Sequence, residues 1–292
     1  MTLDQKIGQM TQPERMHISP EEVKAYHIGS VLSGGGSFPG SNRPPDWVAM
    51  NDEYWAASME EDEDEERLAI PILYGIDAIH GNNNVIGATI FPHNIGLGAA
   101  NDPDLIERIG RVTAREILAT GVEWTFAPTL AVVRNIRWGR TYESYSEDPE
   151  LVASYADRFV NGLQGDLGRD GVLGCAKHWV GDGGTTDGFD QGDTAVSEDV
   201  LDRTHIAPYR PGIEAGVATV MASFNSWNGK KCHGHRYLLR DRLRADLGFD
   251  GFIVSDWNGT DQLSKDYVES VRLGVNAGID LFMVPEKWKD FI

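Results

Sequence analysis

The chain has 292 residues, 41% hydrophobic and 24% charged, which is enough apolar material for a domain-sized core and excludes a disordered polymer. Its 45 Asp and Glu outnumber 26 Lys and Arg, and the net charge of −19 repels phosphate backbones and anionic lipid surfaces, so nucleic acid is not an expected partner. The apolar runs are too short to cross a bilayer, and residues 1–12 have neither the basic nor the apolar section of a secretory signal.

In chain order, a strand is predicted at 28–32, followed by Gly34-Gly35-Gly36, which lacks the spacing of a dinucleotide fingerprint and reads as turn glycine. The acidic run 60–66 lacks the alternation of a calcium loop and reads as a solvated helix end. A strand at 72–77 comes next. Asn101-Asp102-Pro103 opens a helix that continues to Thr120 and stops at Gly121, and a strand follows at 124–128. Asp148-Pro149 opens a second helix that ends at Gly165, with a polar cap, a proline in the first turn and a glycine past the end. Further strands are expected at 172–178, 218–224, 252–256 and 280–284.

These seven runs are continuously apolar, the pattern of parallel strands covered on both faces by crossover helices. A doubly wound sheet and a (β/α)8 barrel share that rhythm. Asp77, Lys177, His178 and Asp256 each stand at a strand-to-loop junction, which would gather ionisable groups from several strands on one carboxyl-end rim, as barrels do. The chain stops soon after the seventh strand, at Ile292, so a single domain over 1–292 is expected to be a fragment, truncated near its C-terminal end.

Asp256 beside Trp257 suits a sugar: the carboxylate can attack or stabilise an oxocarbenium-like centre while the indole stacks on pyranose C–H groups. Taken alone, Asp256 reads by default as a helix-capping aspartate after a strand, and only its context overturns that. Lys177-His178-Trp179 leads into a Gly-rich loop without P-loop order. Arg140 stands near Tyr142, Glu143 and Tyr145, where it could bind a hydroxyl or brace the loop through a carboxylate. Cys232-His233-Gly234-His235 lacks a distant second pair at structural metal spacing and reads as a turn with incidental histidines.

The segments MTLDQKIGQM, YGIDAIHGNNNVIGATIFPHNIGLGA, FAPTLAVVRNIRWGRTYESYSEDP, KHWVGDGGTTDG, SFNSWNG and GFIVSDWNG, in this order, resemble the catalytic barrel of family 3 glycoside hydrolases, in the β-glucosidase and exo-β-glucanase branch. The resemblance spans nearly the whole chain and implies a TIM-type (β/α)8 barrel. It implies a retaining, exo-acting enzyme that removes terminal non-reducing β-D-glucosyl residues through a covalent glycosyl-aspartate, without a cofactor or metal. It makes Asp256 the nucleophile, places Asp77, Arg140, Lys177 and His178 on hydroxyls of the glycone, and sets Trp257 beside the next sugar. Gln191, Phe224 and Gln262 stand where the plant-type pattern often has glutamate, tyrosine and arginine, so Gln191 and Phe224 join the expected substrate-binding set. Phe224 offers no phenolic donor, and Asp256 must be held by other groups. The loop KHWVGDGGT lacks the proline and second histidine of the N-acetylhexosaminidase branch, and the resemblance implies that a following α/β sandwich domain supplies the acid/base glutamate. Family members are often exported, which makes a periplasmic or extracellular location the expectation by analogy. Two alternatives stand beside this reading: a sugar-binding fragment without its general acid, and a metal-dependent hydrolase using His80, His178, His233 or His235.

Overall fold

The computed structural model describes residues 1–60 and 68–292, so the acidic run expected to end a helix lies, from 61 to 66, outside the described residues. Among the described residues the strands are β1 (Thr11–Gln12), β2 (Ser30–Ser33), β3 (Leu73–Ile76), β4 (Trp124–Thr125), β5 (Cys175–Trp179), β6 (Asp193–Thr194), β7 (Thr219–Ala222), β8 (Ser226–Trp227), β9 (Lys230–Lys231), β10 (Phe252–Val254) and β11 (Phe282–Met283). Strands β2, β3 and β4 pair in parallel in that order, as do β5, β7 and β10. Parallel bridges join the remaining neighbours, Glu14 to Leu32, Trp124 to Leu173 and Val254 to Leu281. Finally β11 pairs with β1, Thr11 opposite Phe282 and Gln12 opposite Met283.

The pairing therefore runs around a closed, TIM-like ring of eight parallel strands. This corrects the expectation of a barrel cut short after seven. The eighth strand is β1, two polar residues near the start of the chain. Apolar patterning could not reveal it, because Thr11 and Gln12 are buried by hydrogen bonding instead: Thr11 Oγ1 donates to Ile7 O at 2.7 Å and Gln12 Nε2 to Ser30 Oγ at 2.8 Å.

Side chains alternate across the ring with the two-residue period of a strand. Leu32, Cys175, Met221, Val254 and Met283 meet Trp124 and Phe126 in one cluster, which only the interior of the ring can bring together. Their neighbours Val31, Ala176, Val220, Ile253 and Phe282 belong to the larger core beneath the helices. The helix Pro103–Leu118 buries Ile106, Ile109, Thr113 and Ile117 on one stripe, and Asp102 caps it by accepting from Leu105 N at 3.0 Å. Pro149–Gln164 is capped likewise by Asp148. Both helices start where polar caps predicted them.

Over the carboxyl end of the ring lies a small sheet in which β8 pairs with β6 and turns back into β9. The turn is Asn228-Gly229, both with positive φ, the conformation that a two-residue hairpin demands and that Asn-Gly tolerates best. This hairpin leads directly into His233.

Candidate active site

The site gathers at the carboxyl ends of β3, β5 and β10 and in the loop after β4. Lys177 is almost wholly buried and donates to Asp77 Oδ1 at 2.6 Å, a contact that reaches past β4 and balances a charge taken out of water. The pairing of β5 with β7 shifts register between Ala176 and Trp179, and within that irregular stretch Lys177 and the next residue, His178, both contact site groups.

Arg140 stands at the entrance to a short 3-10 turn, Thr141–Glu143, which brings Glu143 round onto the guanidinium. The contact is bidentate, Nε to Oε1 at 2.7 Å and Nη2 to Oε2 at 2.8 Å. Burial acts against both charges, yet the fork overrides it: the Glu143 carboxyl is held down to about 2 and Arg140 well above its ordinary value. Asn94 Nδ2 donates to the Glu143 carbonyl at 2.7 Å and ties the turn to the neighbouring helix. Sequence alone leaves Arg140 between binding and bracing. The brace is present, and it leaves Nη2 facing His178 Nε2 at 3.0 Å.

Asp256 follows β10, and Ser255 locks the strand end by accepting from Met283 N at 2.8 Å. The Asp256 amide donates to His233 Nε2 at 2.9 Å, and Asp256 Oδ1 accepts from Trp257 N at 2.7 Å. Its other oxygen, Oδ2, is buried without a hydrogen-bond partner and lies 3.7 Å from His178 Nε2. The capping explanation for Asp256 does not hold, since the residue preceding the next helical turn, Gly259–Gln262, is Asn258.

By sequence, His233 is an incidental histidine or a metal ligand. It is instead the wall against which the Asp256 backbone rests. Burial lowers its pKa to about 4, so the ring is neutral and Nε2 offers a lone pair to the amide. Gly259 makes this possible, because a Cβ there would stand 2.3 Å from His233 Nε2. His80 Nδ1 meets Phe91 O at 3.0 Å, and the His235 ring packs 5.6 Å from that of Trp227. Burial pushes the Cys232 thiol up to about 12, far from a ligating thiolate. Among the described residues no three His, Cys, Asp or Glu side chains converge as a metal site.

The remaining expected residues lie further out. Trp257 is partly exposed, with its indole edge over Gly34, where a Cβ would stand 2.9 Å from Cη2 and Cζ3. Phe224 turns its ring toward His233 at 5.5 Å. Gln191 is exposed and accepts from Gln262 Nε2 at 2.7 Å, and Lys231 Nζ joins this edge to the site by donating to Gln191 O at 3.0 Å and Phe224 O at 2.8 Å. The structure thus unites Asp77, Arg140, Lys177, His178 and Asp256, and places Gln191 and Phe224 on an outer rim. Sequence does not single out Asp182, which contacts His178, and offers Glu143 only as one of several groups near Arg140 and His233 only as an incidental histidine or a metal ligand. Only the three-residue spacing of Arg140 and Glu143 hints at their pairing.

Residues 2–291 match the family described as glycosyl hydrolase family 3 N terminal domain. The chain belongs to that family. This family 3 chain is 51% identical over its full length to the exo-1,3/1,4-β-glucanase of a Pseudoalteromonas species, with a TM-score of 0.93, and covers 37% of that chain. A β-glucosidase from Listeria innocua, solved in complex with glucose, superposes with a TM-score of 0.84 at 28% identity over 99% of this chain and 41% of its own. The periplasmic β-glucosidase of Salmonella typhimurium is 31% identical over 301 residues, which is 100% of this family 3 chain and 37% of the Salmonella protein. The chain spans less than half the length of each of these relatives.

Proposed function

We propose that this family 3 domain carries the glycone pocket and the nucleophile of a retaining, exo-acting β-glucosidase or β-glucan glucohydrolase. The supporting observation is Asp256 Oδ2, a desolvated oxygen without a hydrogen-bond partner among the Arg140, Lys177 and His178 side chains. In the proposed reaction Oδ2 forms a bond to the anomeric carbon as the C1–O bond to the leaving group breaks, and that oxygen takes a proton from a general acid. Water then attacks C1, gives up its proton to the conjugate base, and releases Asp256. Asp77, Lys177, Arg140 and His178 hold the glycone hydroxyls, with bonds that tighten as the ring flattens. Neither step calls on a cofactor.

The general acid is proposed to be a glutamate from a part of the protein beyond these residues. The carboxylates near Asp256 are already engaged as acceptors: Asp77 on Lys177, Glu143 on Arg140, and Asp182 on His178. Glu143, held near 2, cannot carry a proton at neutral pH. The same observation supports a second reading for the 292-residue chain on its own, in which it binds sugar without turning it over. Calorimetry with glucose, alongside an absence of alkyl glucoside hydrolysis, is the expected pair of results; brisk alkyl glucoside hydrolysis would rule the second reading out. Exported relatives favour a periplasmic or extracellular setting, and no described helix is long and apolar enough to cross a membrane.

The test of the main reading is covalent. Treating the full-length enzyme with a 2-deoxy-2-fluoro-β-glucoside should trap the glycosyl-enzyme, and peptide mapping should find the label on Asp256. A label on any other residue overturns the assignment.

Gly34 offers a separate probe of Trp257. Its φ lies outside the left-handed region, so alanine is admissible to the backbone and the new methyl meets chiefly the indole. Gly34→Ala should displace Trp257 and raise KM for disaccharides several-fold, while the Kd for glucose stays unchanged. An unaltered disaccharide KM would remove Trp257 from the site of the second sugar.

A further inference from the structure

Asp182 opens the 3-10 turn Asp182–Gly184 just after β5, behind Gly181 in the left-handed region. The turn is pressed tightly into the molecule: a Cβ on Gly183 would stand 2.4 Å from Val132 O, and one on Gly184 would stand 2.4 Å from His205 Nε2. Arg134 N donates to Gly183 O at 2.8 Å and Gly184 N to Gly181 O at 3.0 Å. These contacts give the Gly-rich loop a purpose other than phosphate binding. They press the Asp182 side chain inward until only a tenth of it is exposed.

There its Oδ2 meets His178 Nδ1 at 2.8 Å, while Oδ1 is buried without a hydrogen-bond partner. An aspartate whose task was to brace the loop would spend its oxygens on backbone amides. This one is bonded to an imidazole alone. On the opposite edge of that imidazole, Nε2 faces Arg140 Nη2 at 3.0 Å. Arginine has donors and no acceptor, so Nε2 must present its lone pair and the ring proton must sit on Nδ1. The two contacts agree on a single tautomer, and the carboxylate is the group that selects it.

We propose that Asp182 is a positioning residue, whose buried carboxylate keeps the His178 proton on Nδ1 so that Nε2 stays an acceptor beside Arg140 and Asp256. The consequence for the proposed reaction is specific. A proton on Nε2 would confront the Arg140 donor at 3.0 Å and would point toward Asp256 Oδ2, 3.7 Å away, hydrogen-bonding the oxygen that has to attack. With the proton on Nδ1, the one Nε2 lone pair accepts from Arg140 in this structure and passes to a glycone hydroxyl when the Arg140 N–H turns to the sugar, and Oδ2 remains free. His178 thereby reads the sugar as an acceptor, and Lys177 and Arg140 read it as donors. This last step rests on the glycosidase reading; the assignment of the proton does not.

The experiment is long-range 1H–15N spectroscopy of the histidine rings in the 292-residue chain at pH 7, with the His178 signals assigned by their loss in His178→Gln. His178 should appear as the neutral Nδ1–H tautomer. In Asp182→Asn the side-chain amide can turn its own N–H toward Nδ1, and the spectrum should change to the Nε2–H form. In the full-length enzyme the same variant should lose about 10- to 100-fold in kcat/KM, the scale of one lost charge-assisted hydrogen bond. A wild-type His178 that is protonated on Nε2 overturns the proposal without any variant, and so does an Asp182→Asn spectrum identical to wild type. A trapped label away from Asp256 would instead defeat the glycosidase reading and leave the tautomer result standing.

Discussion

Asp256→Asn in the full-length enzyme should lower glycosyl transfer on the order of 10⁴-fold or more, while leaving the affinity for glucose within a few-fold. The substitution is nearly isosteric. An amide oxygen can still accept from Trp257 N, and the backbone bond to His233 is untouched, so the local geometry should persist. What disappears is the anion proposed to form the covalent bond, and an amide oxygen cannot take its place. Parallel measurement of turnover with an aryl glucoside and of glucose binding by calorimetry separates chemistry from recognition. A variant retaining a tenth of the wild-type rate would show that Asp256 is not the nucleophile.

The second large effect concerns stability. Glu143→Gln leaves the part-buried Arg140 guanidinium, 29% exposed, against a neutral amide, and the about 3–5 kcal/mol cost of breaking a fully buried ion pair falls to about 2–3 kcal/mol with that exposure. The melting temperature should fall by roughly 5–8 °C on that scale. The pH dependence carries a definite sign. The Glu143 carboxyl is held down to about 2, below its unfolded value of 4.5, so its contribution is complete above that unfolded value and fades as pH falls toward 2. The gap between wild type and Glu143→Gln should be widest at neutral pH and should shrink steadily below about pH 5. A gap that stays constant from neutral pH down to about pH 3 would mean that the carboxylate charge does not supply the stabilisation. Because Arg140 then loses its brace, glucose binding should weaken in the same variant.

Much of this architecture is legible in the sequence. The seven apolar runs predict strands that are present, and the polar caps at Asp102 and Asp148 mark two helix starts correctly. Asp77, Lys177, His178 and Asp256 can be collected in advance because polar groups at the ends of buried parallel strands have few places to go except one rim. Other features escape for identifiable reasons. Strand β1 is two polar residues long and is tied in by hydrogen bonds from Thr11 Oγ1 and Gln12 Nε2, which leaves no apolar signature. His233 resembles a ligand because composition shows what a side chain can do and not what it faces; its partner is an amide 23 positions away. Asp182 is hidden inside a run of glycines whose tight packing depends on segments far off in the chain.

The ring closes where β11 meets β1, so residues from the two ends of the chain share one seam. Met283, within that seam, also donates its amide to Ser255 and accepts from Asn258 N, on either side of Asp256. The Asp256 carboxylate, the proposed nucleophile, therefore has its moorings on the last staple of the barrel. A ribosome extruding these residues cannot complete the hoop until β11 has followed β1 out, and until then Asp256 lacks the scaffold that holds it in place.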